Sequence, residues 1–137
     1  PKYLKEMLSM LVKTKCASVT GSRMKNKRKA LSGGMPIYKF IGNIFLTKFF
    51  NIFYGTFFSD CHTGYWFYDL KKIKKPWLKK FDNGFLFDLD MRLKLVKEKC
   101  IINEIPIITR YGSERSSIHF DYALRFFMST IAGKFKK

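Results

Sequence analysis

Four short clusters in this sequence carry residue types able to grip a phosphate or move a proton. Gly21-Ser22-Arg23 ends a run of small residues. A hydroxyl and a guanidinium at the end of a strand suit a phosphate, because the guanidinium can fork onto two oxygens at once. Asp60-Cys61-His62-Thr63-Gly64-Tyr65 puts a carboxylate, an imidazole and a hydroxyl before a glycine turn. Asp88 and Asp90 open a helical pattern, where carboxylates also complement the helix dipole; for Asp90 that structural role is the preferred reading. Arg110-Tyr111-Gly112 with Ser116-Ser117 is a second cluster of cation and hydroxyls. The sequence has no glycine-rich phosphate loop and no nucleophile elbow. Cys16, Cys61 and Cys100 are odd in number and far apart, and His62 and His119 stand alone. Those spacings argue against a disulfide framework or a zinc module and for reduced, intracellular thiols.

The elements that must position these clusters follow from periodicity. Leu4, Met7, Leu8 and Leu11 are at helical spacing with lysines between them, so residues 3–12 are expected to form an amphipathic helix. Ala17-Ser18-Val19-Thr20 reads as a short buried strand ending at Gly21, and a loop is expected through the basic run 25–29 and the flexible Ser32-Gly33-Gly34-Met35-Pro36. Pro36 suits the first turn of a helix. On that helix Lys39, Asn43, Thr47 and Asn51 recur every four residues, giving one polar stripe among Ile, Leu and Phe. The stripe meets water, a headgroup or a site. Residues 63–68 are strand-like, Asp82-Asn83-Gly84 signals a turn, and residues 87–97 have helical spacing. Residues 101–108 are β-branched with Pro106, hence an edge or irregular strand, and residues 120–131 form a last amphipathic helix. Alternating helices and strands define an α/β class.

Composition narrows the partners. The 137 residues carry a net charge of +17, with 47% hydrophobic and 18% aromatic residues, which excludes a wholly disordered basic tail. The charge calls for an acidic partner: nucleic acid, an anionic membrane surface or a phosphorylated ligand. The apolar stretch 37–58 is long enough to span a bilayer, but Lys39, Asn43, Thr47, Lys48 and Asn51 interrupt it, so a simple span is rejected. A helix lying on a membrane surface and one buried in the fold both remain open. The chain opens Pro1-Lys2-Tyr3 with no Met and no signal peptide, which suggests a sequence starting in mid-protein.

Taken in order, the motifs resemble the C-terminal half of a family 2 glycosyltransferase, of the branch similar to dolichyl-phosphate and undecaprenyl-phosphate sugar transferases. The resemblance rests on Gly21-Ser22-Arg23-Met24, Ser32-Gly33-Gly34-Met35-Pro36, Tyr38-Lys39-Phe40-Ile41-Gly42-Asn43, Leu46-Thr47 and Asn51. It continues through His62-Thr63-Gly64-Tyr65, Phe85-Leu86-Phe87-Asp88, Glu104-Ile105-Pro106-Ile107 and Arg110-Tyr111-Gly112-Ser113-Glu114.

The resemblance implies a GT-A fold, a Rossmann-like α/β sandwich, with residues 1–118 as the C-terminal part of a catalytic domain and 119–137 as an amphipathic basic helix and tail. It implies Mg²⁺ or Mn²⁺ bound by an Asp-x-Asp motif upstream of this sequence. Asp88-Leu89-Asp90 has the letters but lies late and starts a helix, so no metal ligand is assigned, and a fragment lacking the nucleotide-binding half is expected. Ser22, Arg23, Lys39, Asn43, Arg110 and Ser117 are carried over as acceptor or phosphate-binding residues, and Asp60 and Asp88 as catalytic carboxylates. Trp66 stands where the family usually has Arg. The expected function is sugar transfer from a nucleotide-sugar to a polyprenyl phosphate or related glycan acceptor. The expected place is the cytoplasmic face of a membrane, peripheral or anchored by segments outside this sequence. Two alternatives are a basic nucleic-acid-binding module and a non-catalytic interaction fragment. The basic runs 25–29, 71–80 and 134–137 bracket different elements without a nucleic-acid motif, so no nucleic acid is expected.

Overall fold

The computed structural model describes residues 2–79, 81, 84, 86–112 and 120–135. Ser117, the Asp82-Asn83 part of the expected turn, Phe85 and the expected boundary between residues 118 and 119 lie outside them. In chain order the elements are α1 (Leu4–Thr14), β1 (Ser18–Ser22), a 3₁₀ turn (Met24–Asn26), α2 (Lys27–Ser32), α3 (Ile37–Tyr54) and β2 (Trp66–Tyr68). They continue with α4 (Lys75–Leu78), α5 (Phe87–Lys97), β3 (Ile102–Pro106) and α6 (Phe120–Phe135). They form two compact units. One comprises Pro1–Ser22 and Thr63–Ile107, the other Arg23–His62 and Ile108–Lys137.

The first unit is built on β1. Its small residues fit the centre of a sheet, and all five are buried. Strand order is β2-β1-β3, with β1 antiparallel to β2 and parallel to β3. The register pairs Val19 with Phe67 and Gly21 with Ile105. Val19, Phe67 and Ile105 therefore share one face, where Met7 and Leu11 of α1 cover them. The opposite face carries Tyr68 and Ile102, which pack with Met91 and Leu95 of α5. Helices on both faces of a partly parallel sheet make the unit α/β. Gly21 is required by close approach: a Cβ there would lie 2.8 Å from Ile107 and 2.9 Å from Tyr65. β3 ends at Pro106, whose ring nitrogen has no N–H to extend the ladder, and Ile107 N–H still reaches the Ser22 carbonyl at 2.9 Å. The expected strand at 63–68 is regular only over Trp66–Tyr68.

The second unit is helical. The loop expected after β1 is instead a 3₁₀ turn running into α2, because Asn26 Oδ1 accepts the Lys29 N–H at 3.1 Å and caps the helix. Pro36 sits at the cap just before α3, and Gly55, at φ 63°, ends it with an N–H donated to Asn51 O. α6 packs on α3: Phe49 stacks on Phe127 at 4.3 Å, and Tyr54 Oη donates to Thr130 O at 2.8 Å. Among the described residues, no helix is long and apolar enough to cross a membrane.

Candidate functional site

The polar stripe of α3 turns inward. Asn43 and Thr47 are buried, although a solvated face is the simplest expectation for such a stripe. The reason is Asp60, itself wholly buried in the turn after the helix. Asn43 Nδ2 donates to Asp60 Oδ1 at 2.8 Å, and Thr47 Oγ1 donates to Asn43 Oδ1 at 3.0 Å. Thr47 Oγ1 also accepts the Cys61 N–H at 3.1 Å, and Asn51 pins the turn by donating to Phe58 O and accepting the Phe58 N–H. Asn43, Thr47 and Asn51, four residues apart along α3, thus satisfy polar groups of the 56–62 segment.

Arg23 completes this network. Its Nε and Nη2 donate to the two oxygens of Asp60 at 2.8 and 3.0 Å, and Nη1 donates to Tyr111 Oη at 3.1 Å. Burial alone would push the Asp60 carboxyl up. The hydrogen bonds and charge of Arg23, then the bonds from Asn43 and the His62 N–H, outweigh it and hold the group at about 2. Burial likewise works against the Arg23 charge, and Asp60 followed by Tyr111 more than restores it. Asp60 is thus a buried carboxylate that holds Arg23 in place.

Arg23 borders a cavity of about 400 Å³ together with Lys39, Asn43, His62, Tyr111 and Tyr122. The remaining wall, which includes Met35, Leu46 and Ala123, is largely apolar. Lys39 Nζ lies 5.9 Å from the Tyr111 ring centroid, and His62 Nδ1 is 3.0 Å from Tyr122 Oη. Arg23, Lys39 and Asn43, chosen from two separate motifs, converge on this one space. Arg110 does not: it is exposed and borders a shallower depression with Lys29 and Gly34. Ser22 is buried at the end of β1.

Asp88 belongs to a different group, in the first unit. It stands in the first turn of α5, one helical turn before Arg92. Arg92 is fully buried, and its guanidinium lies 4.4 Å from the centroid of the Trp66 ring, which in turn stacks on Tyr68. Trp66 thus receives a guanidinium on its face, where the resemblance leads one to expect an Arg side chain. Burial raises the Asp88 carboxyl above the usual carboxylate range, and the Arg92 charge opposes that rise. Gly64 leaves room beside it: a Cβ there would be 3.6 Å from Asp88 Oδ2.

Tyr122 and Arg92 were not singled out by residue type and spacing. Each acts through a residue far away in sequence, and no local pattern marks such a pairing. Among the described residues no three His, Cys, Asp or Glu side chains converge.

The fold and site together define an α/β protein with a cation-bearing, largely apolar cavity. No family model matches the chain, and no solved structure matches it. Over 62 residues it is 39% identical to the low-salt glycan biosynthesis hexosyltransferase Agl6 of Haloferax volcanii. The match takes in 44% of this chain and 14% of that protein, so the chain spans only a small part of the relative's length.

Proposed function

We propose that this chain is part of a glycosyltransferase with GT-A architecture and supplies its acceptor side. The acceptor would be a polyprenyl phosphate or a related glycan-bearing lipid at the face of a membrane, and the donor a nucleotide-sugar. The observation that carries the reading is the cavity, where Arg23 and Lys39 stand over a largely apolar wall. A prenyl phosphate has that same division into an anionic head and an apolar chain. The partial identity to a hexosyltransferase supports the reaction class.

The residues divide the work. Asp60 balances the Arg23 charge, so Arg23 contributes direction more than net attraction. Its bonds to Asp60 and Tyr111 use three of the five guanidinium N–H groups, leaving two for phosphate oxygens. Lys39, with no carboxylate partner in this network, supplies the attraction. In the transfer, an acceptor phosphate oxygen forms its bond to the anomeric carbon as that carbon's bond to the nucleoside diphosphate breaks. An ionised phosphate needs no base, so positioning dominates. A hydroxyl acceptor would need a base, the role the resemblance gives to Asp88, whose carboxyl burial raises. A divalent metal, when bound, would stabilise the departing diphosphate.

The test is sugar transfer by the full protein that contains this sequence, with labelled nucleotide-sugars and polyprenyl phosphate. Label passing into the lipid fraction, and falling sharply in Lys39→Ala, is expected. No transfer from any nucleotide-sugar overturns the proposal.

A further inference from the structure

α6 contributes Tyr122 and Ala123 to the cavity wall, and of the two only Tyr122 carries a polar side chain. Its hydroxyl lies 3.0 Å from Nδ1 of His62, another residue of the same wall. His62 is fixed on three sides. Its backbone N–H donates to Asp60 Oδ1 at 2.9 Å, its ring centroid lies 4.4 Å from that of buried Phe126, and the Tyr122 ring meets it edge-on at 5.6 Å. The carboxylate that aims Arg23 therefore also sets the backbone of His62. Packing of α6 on α3 does not depend on the pair, because Phe49 on Phe127 and Tyr54 Oη on Thr130 O already join the two helices.

The direction of the bond between His62 and Tyr122 decides what the hydroxyl can do. A phenol has one O–H, while Nδ1 of a neutral imidazole either donates or accepts. With Nδ1 as acceptor, the O–H is spent on His62. With the proton on Nδ1, the ring donates to Oη and the O–H turns to a third group. Tyr111 has that second arrangement on the same wall: its Oη accepts Arg23 Nη1, so its own O–H is directed elsewhere.

We propose that Tyr122 is a phosphate-binding residue of the cavity, its O–H donating to a phosphate oxygen while His62 Nδ1–H donates to its Oη. His62 is then a positioning residue that acts through Tyr122. This rests on the proposed phosphate-bearing acceptor and adds two residues to its site. The ligand itself selects the arrangement. An ionised phosphate oxygen only accepts, so it favours the tautomer that turns the O–H toward it, and a hydrogen bond to a charged oxygen is about twice as strong as a neutral one. The chain from His62 through Tyr122 to the phosphate also polarises each bond in turn. The placement complements the cations. Arg23 follows β1, Lys39 stands on α3 and Tyr122 on α6, so the phosphate is held from three elements rather than two. A neutral donor adds direction where Arg23 and Lys39 already bring charge. The pair thereby tells a phosphate ester from the alcohol of the same chain.

The experiment is calorimetric titration of the full chain with geranyl phosphate and, as the uncharged control, geraniol. Tyr122→Phe, which removes one hydroxyl and keeps the ring, should weaken geranyl phosphate about tenfold and leave geraniol unchanged. His62→Leu should lose as much as Tyr122→Phe. His62→Asn, whose amide nitrogen can donate to Oη from near the place of Nδ1, should restore most of the affinity. A second measurement reads the proton directly. In chain labelled with ¹⁵N-histidine and saturated with geranyl phosphate, the resonance that His62→Asn removes should be that of a protonated Nδ1. Geranyl phosphate bound equally well by Tyr122→Phe and the parent overturns the inference and leaves the proposed acceptor standing. An equal loss for geraniol assigns Tyr122 to packing and also overturns it, and a bare Nδ1 in the complex removes His62 from the positioning role. No binding of geranyl phosphate by the parent defeats the inference together with the proposed acceptor. Binding that depends on Tyr122, with no sugar transfer by the full protein, defeats the proposed reaction alone.

Discussion

Asp60 holds Arg23 at both ends, 37 residues away in sequence. Its Oδ2 accepts the Arg23 backbone N–H at 3.2 Å as well as Nε at 2.8 Å, and Oδ1 accepts Nη2 at 3.0 Å. A carboxylate that fixes both the backbone and the guanidinium of one residue leaves that side chain a single orientation. This is how a cation can be aimed into a cavity without the usual freedom of a long side chain.

Breaking this pair should be expensive. Asp60→Asn keeps the shape but strands the Arg23 charge in a buried setting, a loss of about 3–5 kcal/mol. Asn43→Ala removes one hydrogen bond to the same carboxylate and should cost about 1–2 kcal/mol. Urea denaturation of the two variants checks the ranking, and a near-neutral Asp60→Asn would sink the clamp.

Acid should narrow that difference. The Asp60 carboxyl lies at about 2 in the folded protein against 3.8 for an unperturbed group. The folded value is the lower one, so the stabilisation is complete above the unfolded pKa and fades as pH falls through the folded one. The stability gap between the parent and Asp60→Asn should therefore be constant near neutrality, start to shrink below about pH 4, and still be falling near pH 2. A gap that does not change across that window would show that the charge of Asp60 is not what stabilises.

Arg23 and Lys39 border one cavity but should respond differently to truncation. Arg23→Ala leaves Asp60 buried without its counter-charge and should destabilise the fold. Lys39→Ala should keep the melting temperature and weaken binding of a short-chain prenyl phosphate roughly tenfold, the scale of one charge-assisted hydrogen bond. A nuclear magnetic resonance titration with that ligand, beside a thermal melt, separates the two effects. Lys39→Ala binding as tightly as the parent would remove Lys39 from the site.

Two glycines give a paired test of packing in the second unit. A Cβ at Gly33 would lie 2.3 Å from the Thr109 carbonyl oxygen and 3.0 Å from that of Lys29, both backbone atoms with little room to give. Gly33→Ala should cost about 2 kcal/mol or more. A Cβ at Gly42, inside α3, meets nothing within 4 Å. Gly42→Ala should therefore gain about 0.5–1 kcal/mol from helix propensity. Thermal melts of both variants should move in opposite directions.

Some of this could be read in the sequence, and the reasons differ by element. α5 is regular over residues 87–97, the span its spacing of Leu, Val and charges predicts. The four-residue recurrence of Lys39, Asn43, Thr47 and Asn51 was equally plain, but its direction was not. When the rest of a helix is apolar all round, the polar stripe no longer says which side faces the core. The answer lay in Asp60, which pulls the amide of Asn43 inward. The pairing of His62 with Tyr122, 60 residues apart, and the stacking of Arg92 on Trp66 depend on tertiary contact. Helical or strand periodicity has no access to such contacts.

The Asp88 carboxyl offers the last test, because two opposing influences set it. Burial raises it, and Arg92, one helical turn on, lowers it. Tyr68, also lifted by burial first and then by the Asp88 charge, stays a neutral phenol at physiological pH. Removing the Arg92 charge while keeping a side chain that can cover Trp66, as in Arg92→Gln, leaves burial unopposed. The Asp88 pKa should then rise further, and carboxyl carbon resonances followed through a pH titration would show it. Because the folded value already exceeds the unfolded one, Asp88 works against stability as pH rises through its folded pKa, and Arg92→Gln should move that window upward. If transfer goes to a hydroxyl, the acidic limb of the pH–rate profile should move upward with it. If the acceptor is a phosphate, that limb should not follow Asp88 at all. A titration curve unchanged by Arg92→Gln would mean that the buried guanidinium serves the Trp66 stack alone.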